Sequence, residues 1–367
     1  TPLRWLRVSL GKPGGHGDGY ALGGSLRRYR DRLRVVVRLY LRDSGVHLWS
    51  GRWDLAVGEP LAAEDEIIST VLPPLRTALG RAERELAQRT PFESLGVWKA
   101  YQLGLWHFFR FTPEASNRAR RYFAHAATRD PAFAPAQAAI AYSHFTDIST
   151  GYDPARKEST HRTYDMARAA LALDDREPMA HFALGRVLSF MNDYEHAEAE
   201  IRSAIEIDAN FALAYWGLAM TYGWGGHAEE AIAAADKAEA VSRGEPWLWG
   251  VQNIRGVARL QLGDFEAAYA DVDCACRCAN AGPWPSINRA ALLGHLGRVE
   301  EARSAYAEVL RRKPAFSVAT AVGEHSPLDP DREFAHLDSM FAGLRKAGLD
   351  IPERPSKEDS HSDTARP

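Results

Sequence analysis

Cysteine is scarce in this chain, and its placement excludes a disulfide-held fold. The three cysteines among 367 residues, Cys274, Cys276 and Cys278, fall within five residues of one another. Because no distant pair exists to cross-link the chain, this usage predicts a reducing, cytoplasmic compartment. On a helix only Cys274 and Cys278 would share a face, and no histidine is near them in sequence, which disfavours a metal or redox site. We interpret the three as small buried apolar residues.

Long apolar runs and an excess of charge are missing too. No apolar run approaches the roughly 18 residues of a membrane helix, and the first residues, Thr1-Pro-Leu-Arg-Trp5, do not form the apolar core of a secretory signal. The formal net charge of −3 predicts no general attraction to nucleic acid or to anionic lipid. With 46% apolar and 25% charged residues, the composition is that of a folded globular protein.

Signatures of catalysis are absent from the sequence as well. The 13 histidines are scattered without a His-x-x-x-His pair, and there is no Gly-x-Ser-x-Gly elbow or Cys–His signature. The segment Gly11-Lys12-Pro13 lacks the hydroxyl residue that ends a phosphate-binding loop. We therefore predict that the chain is not an enzyme and binds no cofactor and no metal.

A period of 34 residues is the main positive signal. Gly185 and Ala219 are 34 residues apart, and so are Ala197 and Ala231. This length, with small residues where two helices cross, is the pattern of the tetratricopeptide repeat (TPR), a helix–turn–helix unit that stacks on its neighbours. Such stacks usually bind other chains and rarely perform chemistry. The period therefore predicts a mainly α-helical solenoid that acts as a scaffold.

The composition along the chain predicts five segments. A flexible Gly-rich segment at 1–19 is followed by a small α+β module at 20–92, a solenoid of about six helix pairs at 93–325, a capping helix at 326–349 and a disordered tail at 350–367. In the first helix pair we expect a longer turn, around residues 111–116.

The α+β module shows two kinds of hydrophobic periodicity. Residues 33–41 alternate between apolar and other side chains, which predicts a strand with one face on a core. Turn residues on either side of this strand predict a three-stranded meander, with Trp49 and Trp53 on one face of the third strand. An apolar stripe through residues 67–86 then predicts an amphipathic helix.

Aromatic residues mark the candidate binding surface. The first helix of each pair lines the concave side of such a solenoid, and aromatic side chains flanked by arginine suit a peptide held in a groove. An alternative stays open, in which these residues pack on adjacent repeats or the N-terminal module fills the groove. The candidate partner-binding residues are Trp98, Tyr101, Phe108, Phe109, Phe182, Arg186, Phe190, Trp216, Met220, Trp224, Trp284 and His295.

A run of arginines is the other notable charge feature. Strand alternation places several of them on one exposed face, which would suit phosphate or an acidic partner. We prefer a solvated outer face and do not predict a nucleic-acid partner. The run consists of Arg27, Arg28, Arg30, Arg32, Arg34, Arg38 and Arg42.

Three sequence stretches resemble the TolB-like N-terminal module of certain bacterial multidomain proteins. They are Tyr20-Ala-Leu-Gly-Gly-Ser-Leu-Arg-Arg28, Asp31-Arg-Leu-Arg-Val35 and Gly45-Val-His-Leu-Trp49. The resemblance continues into the repeats, which look like those of the same family at 98–107, at Ala119-Arg-Arg-Tyr-Phe123 and at Leu344-Arg-Lys-Ala-Gly-Leu349.

In that family the module stands between an N-terminal effector and a C-terminal repeat array. The effector is usually a class III adenylate or guanylate cyclase domain, or a winged-helix DNA-binding domain. Residues 1–19 contain neither, and the module is shorter than in the family, so we expect it to be incomplete. An unpaired strand edge would leave self-association open.

Two functions are therefore consistent with the sequence. The first is a non-catalytic scaffold that binds a protein or peptide partner of unknown identity in the groove of the solenoid. The second is the regulatory C-terminal part of a signalling protein, either a cyclase or a transcriptional regulator, whose effector domain is missing from this chain.

Overall fold

The computed structural model describes residues 20–351, with several gaps. These gaps are at residues 31, 43, 57–66, 68–69, 73, 76–77, 83–84, 86–90, 154, 243–244, 313, 315–316 and 318–334. The predicted flexible start at 1–19, nearly all of the predicted tail and the first part of the predicted capping segment lie outside the described residues.

The N-terminal strands form the predicted meander. Strands β1 (Tyr20–Tyr29), β2 (Arg32–Leu41) and β3 (His47–Ala56) pair antiparallel in the order β1-β2-β3. Trp49 and Trp53 lie on one face of β3, with their ring centroids 5.9 Å apart. Alternation along the strands therefore produces one apolar face and one polar face.

A helical segment within residues 67–85 covers the apolar face of the sheet. Leu79 packs in one cluster with Tyr20 and Leu39. Val71 packs in a second cluster with Val35. Because Leu79 contacts the end of the hairpin where β1 begins, and Val71 contacts positions nearer the β1–β2 turn, the segment runs along the hairpin.

Beyond the sheet, the described residues form a 3₁₀ turn (Phe92–Ser94), six antiparallel helix pairs and one last helix. The helices are α1 (Val97–Phe108), α2 (Pro113–Arg129), α3 (Ala134–Ser149), α4 (Arg156–Leu173), α5 (Pro178–Phe190), α6 (Tyr194–Ile207), α7 (Ala212–Gly225), α8 (Ala228–Val241), α9 (Leu248–Gln261), α10 (Phe265–Cys276), α11 (Pro283–His295), α12 (Val299–Arg312) and α13 (Ala335–Lys346).

Small residues sit where the two helices of a pair cross, as the 34-residue period predicts. A Cβ added at Gly185 in α5 would lie 2.5 Å from Ile201 Cγ1 in α6, and one added at Gly104 in α1 would lie 2.3 Å from the Phe123 ring in α2. Ala197 and Ala231 are fully buried at the equivalent crossings. These positions exclude larger side chains because interiors are close-packed.

The turn inside each pair uses a left-handed residue. Asn192 (φ 66°) and Gly226 (φ 88°) occupy this position 34 residues apart. In the first pair the same position is Phe111 (φ 54°), and α2 begins directly afterwards at Pro113, with Thr112 Oγ1 accepting a hydrogen bond from the Ala115 amide. The first pair does have a longer turn, with four residues between α1 and α2 against two or three inside pairs three to six. It spans residues 109–112 and not 111–116, because Thr112 already caps α2.

The last helix caps the solenoid as predicted. Leu337, Phe341 and Leu344 of α13 are buried in a cluster with residues of α11 and α12. The backbones of α11 and α13 approach so closely that a Cβ on Gly343 would lie 2.3 Å from the Ala291 carbonyl oxygen. A terminal helix of this kind covers the apolar face that a final repeat would otherwise expose. None of the helices in the described part of the chain could cross a bilayer.

Candidate functional site

A groove of about 840 Å³ runs along the edge of the solenoid where successive helix pairs are joined. Its lining comes from four of these junctions, at residues 130–135, 174–179, 207–213 and 241–247, and from one wall contributed by α1. We call it the junction groove. A volume of this size lies in the range of ligand-binding clefts, 300–1,000 Å³ in order of magnitude, roughly room for several side chains.

Aromatic rings form much of the surface of the junction groove. Trp98 and Tyr101 of α1 lie 5.5 Å apart, and the ring of Phe133 stands edge-on to Tyr101 at 5.5 Å. Phe211 occupies the position equivalent to Phe133, directly before α7. Trp247 continues the row one junction later. Rings therefore stand directly before α3, α7 and α9, whereas Glu177 holds this position before α5.

Carboxylates recur at the same junctions. Asp130, Asp174 and Asp208 end α2, α4 and α6, and each accepts a hydrogen bond from the backbone amide two residues further on, at 3.0–3.1 Å. Glu177 and Glu245 also line the groove. Each junction joins the C-terminus of one helix to the N-terminus of the next, so the helix dipoles largely cancel there. The side chains therefore set the electrostatic sign of the rim.

A long-range contact closes one side of the junction groove. Asn280, between α10 and α11, donates hydrogen bonds from Nδ2 to the carbonyl oxygens of Phe109 (2.9 Å) and Pro246 (2.6 Å). The ring of Phe111 stands edge-on to that of Trp249 at 5.0 Å. The solenoid thus coils tightly enough for its first pair to meet the junctions on either side of its fifth pair.

The helical segment that covers the sheet reaches the other side of the groove. Leu79 and Gly80 are the residues of this segment that line it in the described part of the chain. Two residues of the N-terminal module therefore border the junction groove. About 840 Å³ stays open beside the two residues.

Three of the twelve predicted groove residues, Trp98, Tyr101 and Phe109, line the junction groove. Five others are almost completely buried in the core and are not among the described residues that line the groove. They are Phe108, Phe182, Arg186, Phe190 and Trp216.

The buried five belong to a solid inner wall built from the first helices of successive pairs. Tyr142 in α3 packs on Phe182 in α5 at 4.7 Å, and Phe145 packs on Phe190 at 5.5 Å. We call this layer, formed by the facing sides of α1, α3, α5 and α7, the inner wall. The rings fill the space between neighbouring first helices, so the concave side at this point is core.

The remaining four predicted residues are half-buried beside the two cores. Met220 and Trp224 pack against the larger core, and Trp284 packs against the C-terminal one. His295 stacks on Phe265 with ring centroids 4.3 Å apart, and its Nε2 lies 2.8 Å from the Ser339 carbonyl oxygen. None of the four lines the junction groove among its described lining residues, and their part in partner binding stays a prediction.

Arg186 is the most unusual member of the inner wall. It is 1% exposed, and its guanidinium lies 5.1 Å from the Phe145 ring centre and 4.8 Å from that of Trp224. Its Nε and Nη1 have no hydrogen-bond acceptor among the described residues. Burial lowers the pKa of Arg186 to about 10, which still leaves it charged at neutral pH. The ring faces stabilise this cation.

The sequence-based interpretation of the cysteines is partly wrong. Cys274 is exposed, while Cys276 and Cys278 are half-buried, and all three are free thiols. Burial and the neighbouring Cys274 raise the pKa of Cys278, which reduces its reactivity. Within the described residues no group of three or more His, Cys, Asp or Glu side chains could hold a metal ion.

The rings directly before α3, α7 and α9 and the carboxylates directly after α2, α4 and α6 are functional residues that the sequence analysis misses, apart from its general expectation of aromatic side chains. One signal was available, because Asp174 and Asp208 share the 34-residue period and Glu177 and Phe211 share it too. Their convergence on one groove depends on how the repeats coil, which the period alone does not fix.

The described repeats form a TPR solenoid. A family model of the tetratricopeptide repeat matches residues 180–211, which contain most of α5 and all of α6. The solved structure of the APC/C hetero-tetramer Cut9–Hcn1 aligns with 77% of this chain and 52% of its own, with a TM-score of 0.50 and 17% sequence identity. At this identity the likeness concerns the fold alone.

Two curated proteins share sequence with the chain. "Putative adenylate cyclase 3" of Rhizobium meliloti (strain 1021) is 30% identical over 182 residues, which is 50% of this chain and 31% of that protein. "Cellulose synthase operon protein C" of Xanthomonas axonopodis pv. citri (strain 306) is 34% identical over 140 residues, 37% of this chain and 9% of that protein. The chain therefore spans less than a third of either relative.

Proposed function

We propose that this chain is a non-catalytic scaffold that binds a protein or peptide segment in the junction groove. One observation carries the proposal: an open groove of about 840 Å³ whose surface is rich in aromatic rings. Rings held rigidly by neighbouring helices supply binding energy with little loss of side-chain freedom. The carboxylates of the rim supply polar contacts that orient a bound chain.

We also propose that the chain is organised as the sequence predicts, with a TolB-like module at 20–92, a solenoid at 93–325 and a cap at 326–349. The sheet with its covering helix supports a separate first unit, because its strands make their own apolar clusters. The module borders the groove through Leu79 and Gly80. In this proposal the module would respond when a partner occupies the groove.

The alternative function is the regulatory C-terminal part of a signalling protein. The 30% identity to a protein named as an adenylate cyclase supports it. In that arrangement a partner bound to the solenoid would act on an effector encoded upstream. The reading frame before Thr1 tests the alternative, since a cyclase or winged-helix sequence joined in frame would favour it over a free-standing scaffold.

Peptide selection on the full chain tests the scaffold proposal. Peptides from a display library that bind the wild-type chain are measured against Trp106→Ala. Trp106 is half-buried, lines the junction groove and lies 3.9 Å beneath the Arg110 guanidinium. We expect binding to weaken at least about ten-fold, the effect of losing one aromatic contact in a binding site.

Leu262→Ala is the matched control, because Leu262 is 48% exposed and lies outside the groove. It should bind the same peptides as the wild type does. Circular dichroism establishes that both variants keep their helices. Selected peptides that bind Trp106→Ala as tightly as wild type would place the binding surface elsewhere and contradict the proposal.

A further inference from the structure

The turn of the β1–β2 hairpin is a cationic and partly apolar projection. Leu26 is 60% exposed and Tyr29 is 72% exposed, unusual values for large apolar side chains. Arg27 and Arg32 share the outer face of the sheet with Tyr29, and Arg28 shares the opposite face with Leu26. These three arginines and Arg30 in the turn are exposed. We call residues 26–30 and 32 the hairpin tip. The sequence of 26–32 holds four arginines and one aspartate, Asp31, and exposed apolar side chains beside a net positive charge suggest a docking element.

The junction groove has the complementary character. Five carboxylates and two guanidiniums, those of Arg110 and Arg176, are among its described lining residues. Among the described lining residues carboxylates therefore outnumber guanidiniums, and Asp208 is the buried one of the five. The aromatic surface beneath the rim suits both apolar side chains and arginine, whose guanidinium stacks on ring faces.

The hairpin tip does not reach the groove of its own chain. Leu79, which lines the groove, packs with Tyr20 and Leu39 at the opposite end of the hairpin. Tyr20 pairs with Leu41 at that end, and Tyr29 pairs with Arg32 at the tip. Nine residues of strand separate the two ends, roughly 30 Å at 3.3 Å per residue. Only another molecule can bring the tip and the groove together.

We propose that a second copy of this chain is an occupant of the junction groove, bound through its hairpin tip. This inference rests on the proposed function of the groove and names a partner for it. The arginines of the tip meet the carboxylates of the rim, while Tyr29, which shares the outer face of the sheet with Arg27 and Arg32, enters the aromatic surface. Each joined molecule keeps one unused tip or groove, so the contact is head-to-tail and assembly continues beyond the dimer.

Sedimentation velocity on the full chain tests the proposal. We expect association that grows with protein concentration, with the micromolar affinity of a small interface. Association should weaken as salt rises, because charged contacts at an exposed rim are screened. A wild-type chain that stays monomeric at low salt and high concentration would overturn the inference.

Paired substitutions on the sheet test whether the arginines of the hairpin tip form the basic side of the contact. Arg27→Gln with Arg32→Gln removes two charges at the tip, and Arg38→Gln with Arg52→Gln removes two from the same outer face further from the tip. The tip variant should associate at least about ten-fold more weakly, and the control should resemble the wild type. Equal effects of the two variants would contradict docking through the tip.

Substitution of three rim aspartates tests whether the groove forms the acidic side of the contact, and it leaves the junction turns intact. Asparagine at positions 130, 174 and 208 keeps the side-chain oxygen that accepts the backbone amide and removes the charge. The control changes three exposed carboxylates outside the groove to their amides, at Asp165, Glu206 and Glu230. Association should be lost in the groove variant only. Association that survives in it would refute the groove as the docking site.

Mixing the two defective variants gives the most specific result. The tip variant keeps its groove and the groove variant keeps its tip, so one contact can form between them and none can extend it. Each variant alone should sediment as a monomer, and the mixture should stop at the mass of a dimer. A mixture that stays monomeric would contradict the head-to-tail arrangement.

The failure of this inference can be distinguished from failure of the scaffold proposal. A cyclic peptide with the sequence of residues 25–34 is added to the monomeric tip variant, alongside the selected library peptides. If library peptides bind in the groove while the wild-type chain stays monomeric and the cyclic peptide does not bind, the self-docking inference fails and the scaffold proposal stands. If no peptide of either kind binds, both fail.

Discussion

The inner wall and the junction groove are built from the same repeats, yet one is core and the other is open. Phe182 in the inner wall is fully buried between α3 and α7. Phe133 at a junction is only half-buried and faces about 840 Å³ of open space. Aromatic side chains at helical spacing therefore do not mark a binding surface by themselves. Their position within the repeat decides which role they have.

The largest expected effect separates stability from binding. Phe182→Ala removes a fully buried ring from the inner wall and should lower the free energy of unfolding by about 3–5 kcal/mol. Trp106→Ala, in the groove, should lower it by about 1 kcal/mol or less. Urea unfolding followed by circular dichroism measures both. Similar losses of stability for the two would erase the distinction between wall and groove.

A smaller effect is expected at a helix crossing. Gly185→Ala places a Cβ 2.5 Å from Ile201 Cγ1 and 3.0 Å from the Ala197 carbonyl oxygen. Overpacking of this kind costs about 1–3 kcal/mol, more than the gain of up to about 1 kcal/mol from replacing glycine in a helix.

Gly96→Ala is the control for the crossing, because nothing lies within 4 Å of a Cβ at that position. We expect its unfolding midpoint to stay near that of wild type. If Gly185→Ala were as stable as Gly96→Ala, the two helices of the pair would have room to separate, and the crossing would not be close-packed.

The sequence predicts the solenoid well because the relevant contacts are local. Gly185 and Ala197 belong to one helix pair, so a repeating small residue reports directly on their crossing. The hairpin and its covering helix are predicted for the same reason. Tertiary contacts between distant repeats leave no such periodic signal in one sequence.

The location of the binding surface cannot be predicted from the sequence, because it depends on how the repeats coil. Asn280 and Phe109 are 171 positions apart, and their hydrogen bond reflects the coiling of four intervening pairs. The spacing between successive first helices is also not encoded by the period. For that reason Phe182 and Phe190 are predicted to face an open groove, although the rings of α3 and α7 cover them.

The two hydrogen bonds that Asn280 donates across the solenoid offer a test with a smaller expected effect. Asn280→Ala removes two hydrogen bonds that join the first pair to the junctions around the fifth. We expect a stability loss of about 1 kcal/mol and a larger radius of gyration by X-ray scattering, because the solenoid can then open.

Asn288→Ala is a matched control for Asn280→Ala. It removes a single bond, from Asn288 Nδ2 to Asn253 Oδ1 at 3.0 Å, between neighbouring first helices. This variant should lose stability while the radius of gyration of the solenoid stays unchanged. An unchanged radius for Asn280→Ala would mean that inter-repeat packing alone sets the coil, and that the groove keeps its shape without this bond.

The smallest expected effect is a pH dependence at the junction next to the groove. His181 lies 2.7 Å from Glu200 Oε2 through Nδ1 and 2.9 Å from the Asp175 carbonyl oxygen through Nε2. Both neighbours are acceptors, so both ring nitrogens can donate only when the imidazole is protonated. Burial opposes the charge, but the hydrogen bonds to Glu200 and Asp175 outweigh it and raise the pKa of His181.

A raised pKa fixes the sign of this effect. The stabilisation from His181 is fully present below the unfolded pKa of about 6.5 and is lost as pH rises through the higher folded value. His181→Gln should therefore be less stable than wild type near pH 6, by less than about 1 kcal/mol, and the gap should close towards pH 8. Arg186 in the inner wall stays charged throughout this range, with a pKa of about 10. A gap that stays constant with pH would show that His181 remains neutral, and the junction would then be as insensitive to pH as the inner wall.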